Sequence, residues 1–269
     1  MMDMHVHTYR CKHAKGTAED MVKAALQKKI ACIGINEHFP MTYLPDPVPV
    51  HDYAMDLNEF PVHLKELKTL QKKYRGQIDV RIGAEVDYYE PAINTITQWL
   101  EPFQTDFDYL YGSVHVVTNW AIDDDKFLNR WDQVGVDAVY SMYYEVLAKM
   151  AKTRLFNVVG HLDLPKKFKK IPTIDFDGKI STVLDAVKAA HMVVEVNTAG
   201  LRKPVKEIYP SRHILEMCLE KGIKVTLGSD AHAPEEIGYA FDETRALLKE
   251  IGFKTLVLFK KRMQVPVKL

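Results

Sequence analysis

The sequence predicts a single α/β domain, a TIM-like barrel of about seven parallel strands alternating with helices. Three observations predict it. Short β-branched runs recur between segments of helical periodicity, no linker-like stretch separates two cores, and strand run after strand run ends in His, Glu or Asp. In such barrels the interior is filled by packing, so the C-terminal strand ends share one mouth and carry the chemistry.

The first run, DMHVHT (3–8), places His5 and His7 two residues apart, so both rings leave one face of a strand. Eleven histidines in 269 residues give roughly half a His-x-His pair by chance, so the pair alone decides nothing. His13 follows on a loop, and Thr17 with Asp20 three residues on caps a helix over 17–29. The second strand, ACIGINEH (31–38), ends in Glu37 and His38. The proline-rich PMTYLPDPVPV (40–50) excludes a helix or a central strand and reads as a loop, a candidate lid. DVRIGAEVD (79–87) contributes Glu85 and Asp87, and YLYGSVHV (109–116) reaches His115 before a helix over 136–152. FNVVGHLD (156–163) brings His161 and Asp163 ahead of a helix over 181–190. MVVEVNTAG (192–200) brings Glu195 and Asn197, and the next helix, 211–221, stops at Gly222. KVTLGSDAH (224–232) ends in Asp230 and His232. A last helix over 235–250 precedes KTLVLF (254–259), an eighth strand or an edge.

Thirty-six basic and 36 acidic residues cancel, which leaves no global field to attract nucleic acid or an anionic membrane. No apolar run approaches the length of a membrane span, no secretory signal opens the chain, and three cysteines are too few for a disulfide framework. A cytoplasmic protein with a small-molecule substrate is expected; the oligomeric state stays open.

With HVHT, CKHAKG, NEHFP, GAEVD, YGSVH, VGHLD, VNTAGLRK and GSDAH in this order, the chain resembles the PHP (polymerase and histidinol phosphatase) superfamily, in its monofunctional histidinol-phosphatase branch. The resemblance spans nearly the whole chain. It implies a distorted (β/α)7 barrel without KTLVLF as a regular closing strand, and three divalent metal ions. The first would sit on His5, His7, Glu85 and Asp230, with Glu85 bridging to a second on His115 and His161, and the third on His13, His38 and His232. The implied activity is hydrolysis of L-histidinol phosphate in histidine biosynthesis. The alternatives are another PHP phosphoesterase, a phosphodiesterase or nuclease, and a non-catalytic metal-binding protein.

The residue types suit that chemistry on their own terms. A phosphate monoester carries nearly two negative charges, so clustered cations that offset this charge and acidify water to a pKa of about 7 supply the main requirement. Mixed imidazole and carboxylate donors suit zinc first, with iron or manganese as alternatives. Arg202 is the candidate phosphate clamp, because a guanidinium fork matches two phosphate oxygens. Lys166, Lys167 and Lys169 are candidates for a second clamp. Phe39, Tyr43 and Tyr53 would cover the substrate ring, with Glu37 or Asp46 facing its ammonium, and Asp230 is a candidate proton donor. Asp87, Asp163 and Asn197 are expected to orient ligands rather than bind ions. Cys11, two residues before His13, is left out of the ligand set, and His51, His63, His191 and His213 receive no chemistry, His63 being placed on a polar helix face.

Overall fold

Seven strands lie side by side in chain order in the computed structural model, which describes all 269 residues. They are β1 (Met2–Val6), β2 (Cys32–Ile35), β3 (Asp79–Asp87), β4 (Tyr109–Ser113), β7 (Val158–Val159), β8 (Val193–Asn197) and β9 (Val225–Gly228), and every neighbouring pair is parallel. A minor hairpin, β5 (Val116–Val117) with β6 (Trp120–Ala121), interrupts the series. The strands are buried on both faces, so that even the polar Asp3, His5, Glu195 and Asn197 within them are buried. The ends meet at the mouth, where His7 N donates to Ala231 O (2.9 Å) and Ala231 N to His5 O (3.3 Å). The two residue stretches richest in candidate ligands therefore close the barrel. Inside it, the Tyr109 ring lies against Gly83, where an added Cβ would come within 2.6 Å of the ring, and its hydroxyl donates to Met4 O (3.0 Å).

Eight α-helices cover the outside: α1 (Ala18–Gln27), α2 (Phe60–Lys73), α3 (Ile93–Leu100), α4 (Leu128–Val134), α5 (Val136–Lys152), α6 (Asp177–Ala189), α7 (Arg212–Glu220) and α8 (Phe241–Ile251). The Thr17 and Asp20 capping box forms as expected, and Ser211 caps α7. Two helix starts differ from the sequence expectation. Helix α6 begins at Asp177 rather than 181, and α8 begins at Phe241 rather than 235, because Pro234–Glu236 form a 3-10 turn and Gly238 and Ala240 take positive φ (65° and 54°). The KTLVLF run belongs to β10 (Thr255–Lys260), which pairs antiparallel with β11 (Met263–Lys268) outside the parallel sheet. The proline-rich loop holds neither helix nor central strand; Met41, Leu44, Val48 and Ala54 build a small satellite core with Val116. No helix is long and apolar enough to cross a membrane.

Two side-chain expectations fail in the fold itself. Phe39 is fully buried and packs its ring edge-on against Phe60 of α2 (4.9 Å between centroids), so it covers no substrate. His63 shares the buried face of α2 with Phe60, Leu64, Leu67 and Leu70 and is not on a polar face; the i, i+3, i+4, i+7 spacing runs through it. Phe39→Ala is expected to cost about 3–5 kcal/mol of stability through the cavity left behind, with KM unchanged. Urea unfolding beside steady-state kinetics checks this, and a raised KM at wild-type stability would return Phe39 to the substrate site.

Candidate active site

The side chains of His5 and His7 both point into the barrel mouth, with their Nε2 atoms 3.0 Å apart. Glu85, buried, sits opposite them at the end of β3. Its Oε2 lies 3.4 Å from both His5 Nε2 and His7 Nε2, while its Oε1 lies 3.0 Å from His161 Nε2 and 3.9 Å from His115 Nε2. One carboxylate thus joins two imidazole groups, as expected of a bridging ligand. Asp230 Oδ1 completes the first group at 3.4 Å from His7 Nε2 and 3.7 Å from His5 Nε2. Asp230 holds this place with a left-handed backbone (φ 52°).

The third group lies toward the cavity. The rings of His38 and His232 each stack on His7 at 4.4 Å, and His13 Nε2 is 3.0 Å from His232 Nε2. Backbone pairing past the end of β2 fixes His38, since Glu85 N donates to Glu37 O (3.0 Å) and Phe39 N to Glu85 O (2.7 Å). His38 Nδ1 then lies 3.2 Å from Glu85 Oε2.

These donors fit divalent cations. In four of the rings the nitrogen turned away from the centre is tied down, which fixes the tautomer, while His7 Nδ1 and His161 Nδ1 have no hydrogen-bond partner. His5 Nδ1 donates to Glu195 Oε1 (2.6 Å), His115 Nδ1 to Asp87 Oδ2 (2.9 Å), His13 Nδ1 to Cys11 O (2.7 Å) and His232 Nδ1 to Asp230 O (3.0 Å). The triads His5/His7/Asp230 and Glu85/His115/His161 each bring their donor atoms within 4.8 Å of one another, as does His7/His38/His232, which shares His7 with the first. Imidazole lone pairs converging at this range repel unless a cation lies among them.

Electrostatics point the same way. Burial favours neutral Glu85, but the histidines around it, His5 and His38 foremost, hold its carboxyl well below the usual range. Burial likewise opposes charge on His7 and His115, yet the facing carboxylates prevail: Asp230 and Glu37 raise His7 to about 9, and Asp87 with Asp123 raise His115 to about 10. Both rings therefore carry a proton at pH 7 in the ion-free protein, and a cation must expel it. Despite its burial, His5 is held well above the ordinary range by Glu195, Asp230 and Glu85 and does the same. Zinc loading at pH 7 is therefore expected to release at least three protons per chain, and apparent affinity to rise with pH until these groups are neutral. Titration calorimetry in buffers of different ionisation heat measures the release, and a buffer-independent heat contradicts it.

Above the donors opens a cavity of about 500 Å³, a size that suits a small organic phosphate. Lys167, Arg202 and Lys203 line it, as do Asp123, Asp124 and Glu236. Arg202 Nη2 donates to Ser229 O (2.9 Å) and Asp230 O (3.1 Å), its Nε lies 3.3 Å from Glu236 Oε1, and its Nη1 has no protein partner. Lys167 donates to Asp123 Oδ2 (3.0 Å), while Lys203 makes no ion pair. Tyr53 lines the cavity and bonds to Asp124.

Other expected contacts are not there. Lys166 is buried away from the cavity, where its ammonium meets Glu207 Oε2 (2.7 Å), Asp163 Oδ2 (2.8 Å) and Ile208 O (2.8 Å). Lys169 caps the preceding 3-10 turn in a left-handed conformation and does not line the cavity. Glu37 lies beneath His7, fully buried, and accepts from Thr8 N (2.6 Å) and Thr8 Oγ1 (2.7 Å), so it does not meet an ammonium. Tyr43 spends its hydroxyl on Asp87 O (2.7 Å), and Asp46 is exposed outside the cavity. Asp87 orients His115 as expected, whereas Asp163 orients no ligand and instead accepts from Ser211 N (2.9 Å). Asn197 donates to Glu195 Oε2 (3.1 Å) and Asp230 Oδ2 (3.2 Å).

Glu195 is the functional residue that sequence reasoning left without a role. Its second oxygen accepts from His161 N (2.9 Å), so one buried carboxylate holds residues of the first two groups. Ser113, whose Oγ donates to Glu85 Oε1 (2.6 Å), was missed too. Gly228 leaves room for this arrangement, since an added Cβ would come within 2.6 Å of His5 Cβ.

Residues 3–199 match the model of the PHP domain family. The chain belongs to the PHP family. Within it, the chain is 33% identical to the "Probable histidinol-phosphatase" of Deinococcus radiodurans over 265 residues, 98% of each chain. It is 31% identical to the histidinol-phosphatase of Bacillus subtilis over 258 residues, 89% of this chain and 96% of the relative. Among solved structures, the histidinol phosphate phosphatase of Lactococcus lactis, complexed with zinc, L-histidinol and phosphate, matches with a TM-score of 0.83 over 98% of both chains at 21% identity. That match supports the seven-stranded PHP barrel as the fold.

Proposed function

We propose that the protein hydrolyses L-histidinol phosphate to L-histidinol and inorganic phosphate in cytoplasmic histidine biosynthesis, and that it binds three divalent cations, zinc foremost and iron or manganese as alternatives. The observation that carries this reading is the Glu85 carboxylate, set between two groups of imidazoles on the floor of a cavity of about 500 Å³. Membership of the PHP family beside histidinol-phosphatases supports the substrate. Bound cations supply charge neutralisation for the phosphate and lower the pKa of water toward about 7.

The protein's own groups do the rest. Arg202, anchored by two carbonyls with Nη1 unpartnered, receives a phosphate oxygen, and the unpaired Lys203 takes the place expected for Lys166. Burial favours a neutral Asp230, but His5, His7 and His232 hold its carboxyl well below the usual range. It therefore enters as a proton acceptor, placed to take a proton from the attacking water and return it to the leaving alcohol. Asp123 and Asp124 replace Glu37 and Asp46 as counter-charges for the ammonium, and Tyr53 remains to cover the ring.

Phosphate release by the zinc-loaded protein, compared across L-histidinol phosphate, an aryl phosphodiester and single-stranded DNA, tests the reading. Turnover of the monoester alone is expected; strong diesterase activity without it would move the protein to the nuclease side of the family, and bound ions without hydrolysis to a binding role. Arg202→Ala is expected to keep the bound metal and lose about 10–100-fold in kcat/KM, the worth of a charge-assisted hydrogen bond. Unchanged kinetics would remove Arg202 from the site.

A further inference from the structure

Cys11 is a fully buried thiol that the chemistry above leaves unused. A 3-10 turn, Tyr9–Cys11, carries it, and Thr8 at the head of the turn accepts from Arg10 N (3.3 Å). Lys12 then turns the chain through a left-handed conformation (φ 70°) and brings His13 back over the cysteine, where His13 Nδ1 donates to Cys11 O (2.7 Å). The Cys11 sulfur and the donor nitrogens of His13 and His232 all lie within 4.8 Å of one another.

The two histidines supply an independent sign of a ligand. Each has its Nδ1 committed to a carbonyl, Cys11 O for His13 and Asp230 O for His232. With Nδ1 donating, each presents a lone pair on Nε2, and these nitrogens face each other at 3.0 Å, a repulsion that a cation between them relieves. His5 and His7 also have Asp230, His115 and His161 have Glu85, and His38 meets Glu85 Oε2 at 3.2 Å, whereas no carboxylate faces the Nε2 atoms of His13 and His232. An anionic thiolate beside these two imidazoles gives a mixed nitrogen and sulfur donor set, a combination typical of zinc.

We infer that Cys11 is a thiolate ligand of the outermost cation, beside His13 and His232. On binding, the S–H bond breaks, its proton leaves to solvent, and a sulfur lone pair forms the new bond to the cation; no oxidant or reductant takes part. The inference rests on the metal-centre reading above, and it makes the outer site the most thiophilic of the three, favouring zinc or iron over manganese.

Cobalt(II) substitution of the chelated full-length protein tests it. The loaded wild type is expected to show visible d–d bands together with an intense near-ultraviolet sulfur-to-cobalt charge-transfer band. Cys11→Ser should keep d–d bands from the inner groups and lose the charge-transfer band, while Cys32→Ser and Cys218→Ser should retain both. Outer-site zinc affinity should fall at least about tenfold in Cys11→Ser, since even partners one shell further out are worth that much. Wild-type protein fully loaded by its d–d bands but without the charge-transfer band overturns the Cys11 assignment and leaves the metal centre standing. Failure to bind cobalt at all overturns both.

Discussion

Glu85→Ala is expected to lose more than about half of the bound metal and at least about a thousandfold in turnover, roughly 4 kcal/mol of transition-state stabilisation. The size of the effect follows from geometry. Its two oxygens face different imidazole groups, Oε2 toward His5, His7 and His38 and Oε1 toward His161 and His115. Alanine removes the one carboxylate that faces inward ring nitrogens of both groups, leaving Asp230 alone beside His5 and His7 Nε2 and no carboxylate facing the Nε2 atoms of His115 and His161. Metal analysis of the purified variant beside the phosphate-release assay reads both consequences. Full metal content with wild-type turnover would refute the bridging role.

Glu195→Ala is the second large effect, and it acts without touching substrate. Glu195 is fully buried, accepts from His5 Nδ1 and His161 N, and receives Asn197 Nδ2. Burial opposes charge on His5, but Glu195, with Asp230 and Glu85, raises its pKa well above the ordinary histidine range. Truncation strands a buried imidazole donor and a backbone N–H, at a cost of about 3–5 kcal/mol in the ion-free protein. It also frees the His5 ring to rotate, which should weaken metal binding about 10–100-fold. Chemical unfolding in chelator, followed by competition with a zinc-sensitive dye, separates the two. Glu195→Gln keeps an acceptor for His5 and should recover part of the affinity; a variant with wild-type stability and affinity would show Glu195 to be a bystander.

The meeting of the predicted residues at one mouth was legible in the sequence because barrel geometry sends the C-terminal ends of parallel strands to one place, so strand position predicts convergence for all of them but the loop residue His13. Side-chain direction beside those ends was not legible. In NEHFP, His38 turns over Glu85, Glu37 turns beneath His7, and Phe39 turns into the layer between the barrel and α2. Three neighbouring residues take three environments, and nothing in their chemistry says which. Lys166 and Lys167 divide in the same way across one 3-10 turn, the first inward to Asp163 and Glu207, the second to the cavity. Glu195 lacked a local signal because its partner His5 lies 190 residues away. The late start of α8 was missed because the backbone breaks at Gly238 and Ala240, inside a stretch whose charges read as helix.

Crystals of the protein with its bound metal, measured on both sides of the zinc absorption edge, test the three-cation centre most directly. Three anomalous peaks are expected at the barrel mouth, one among His5, His7, Glu85 and Asp230, one among Glu85, His115 and His161, and one beside His13, His38 and His232. A fully loaded protein with no peak between His5 and Glu85, or with its metal outside the mouth, would contradict the centre described here.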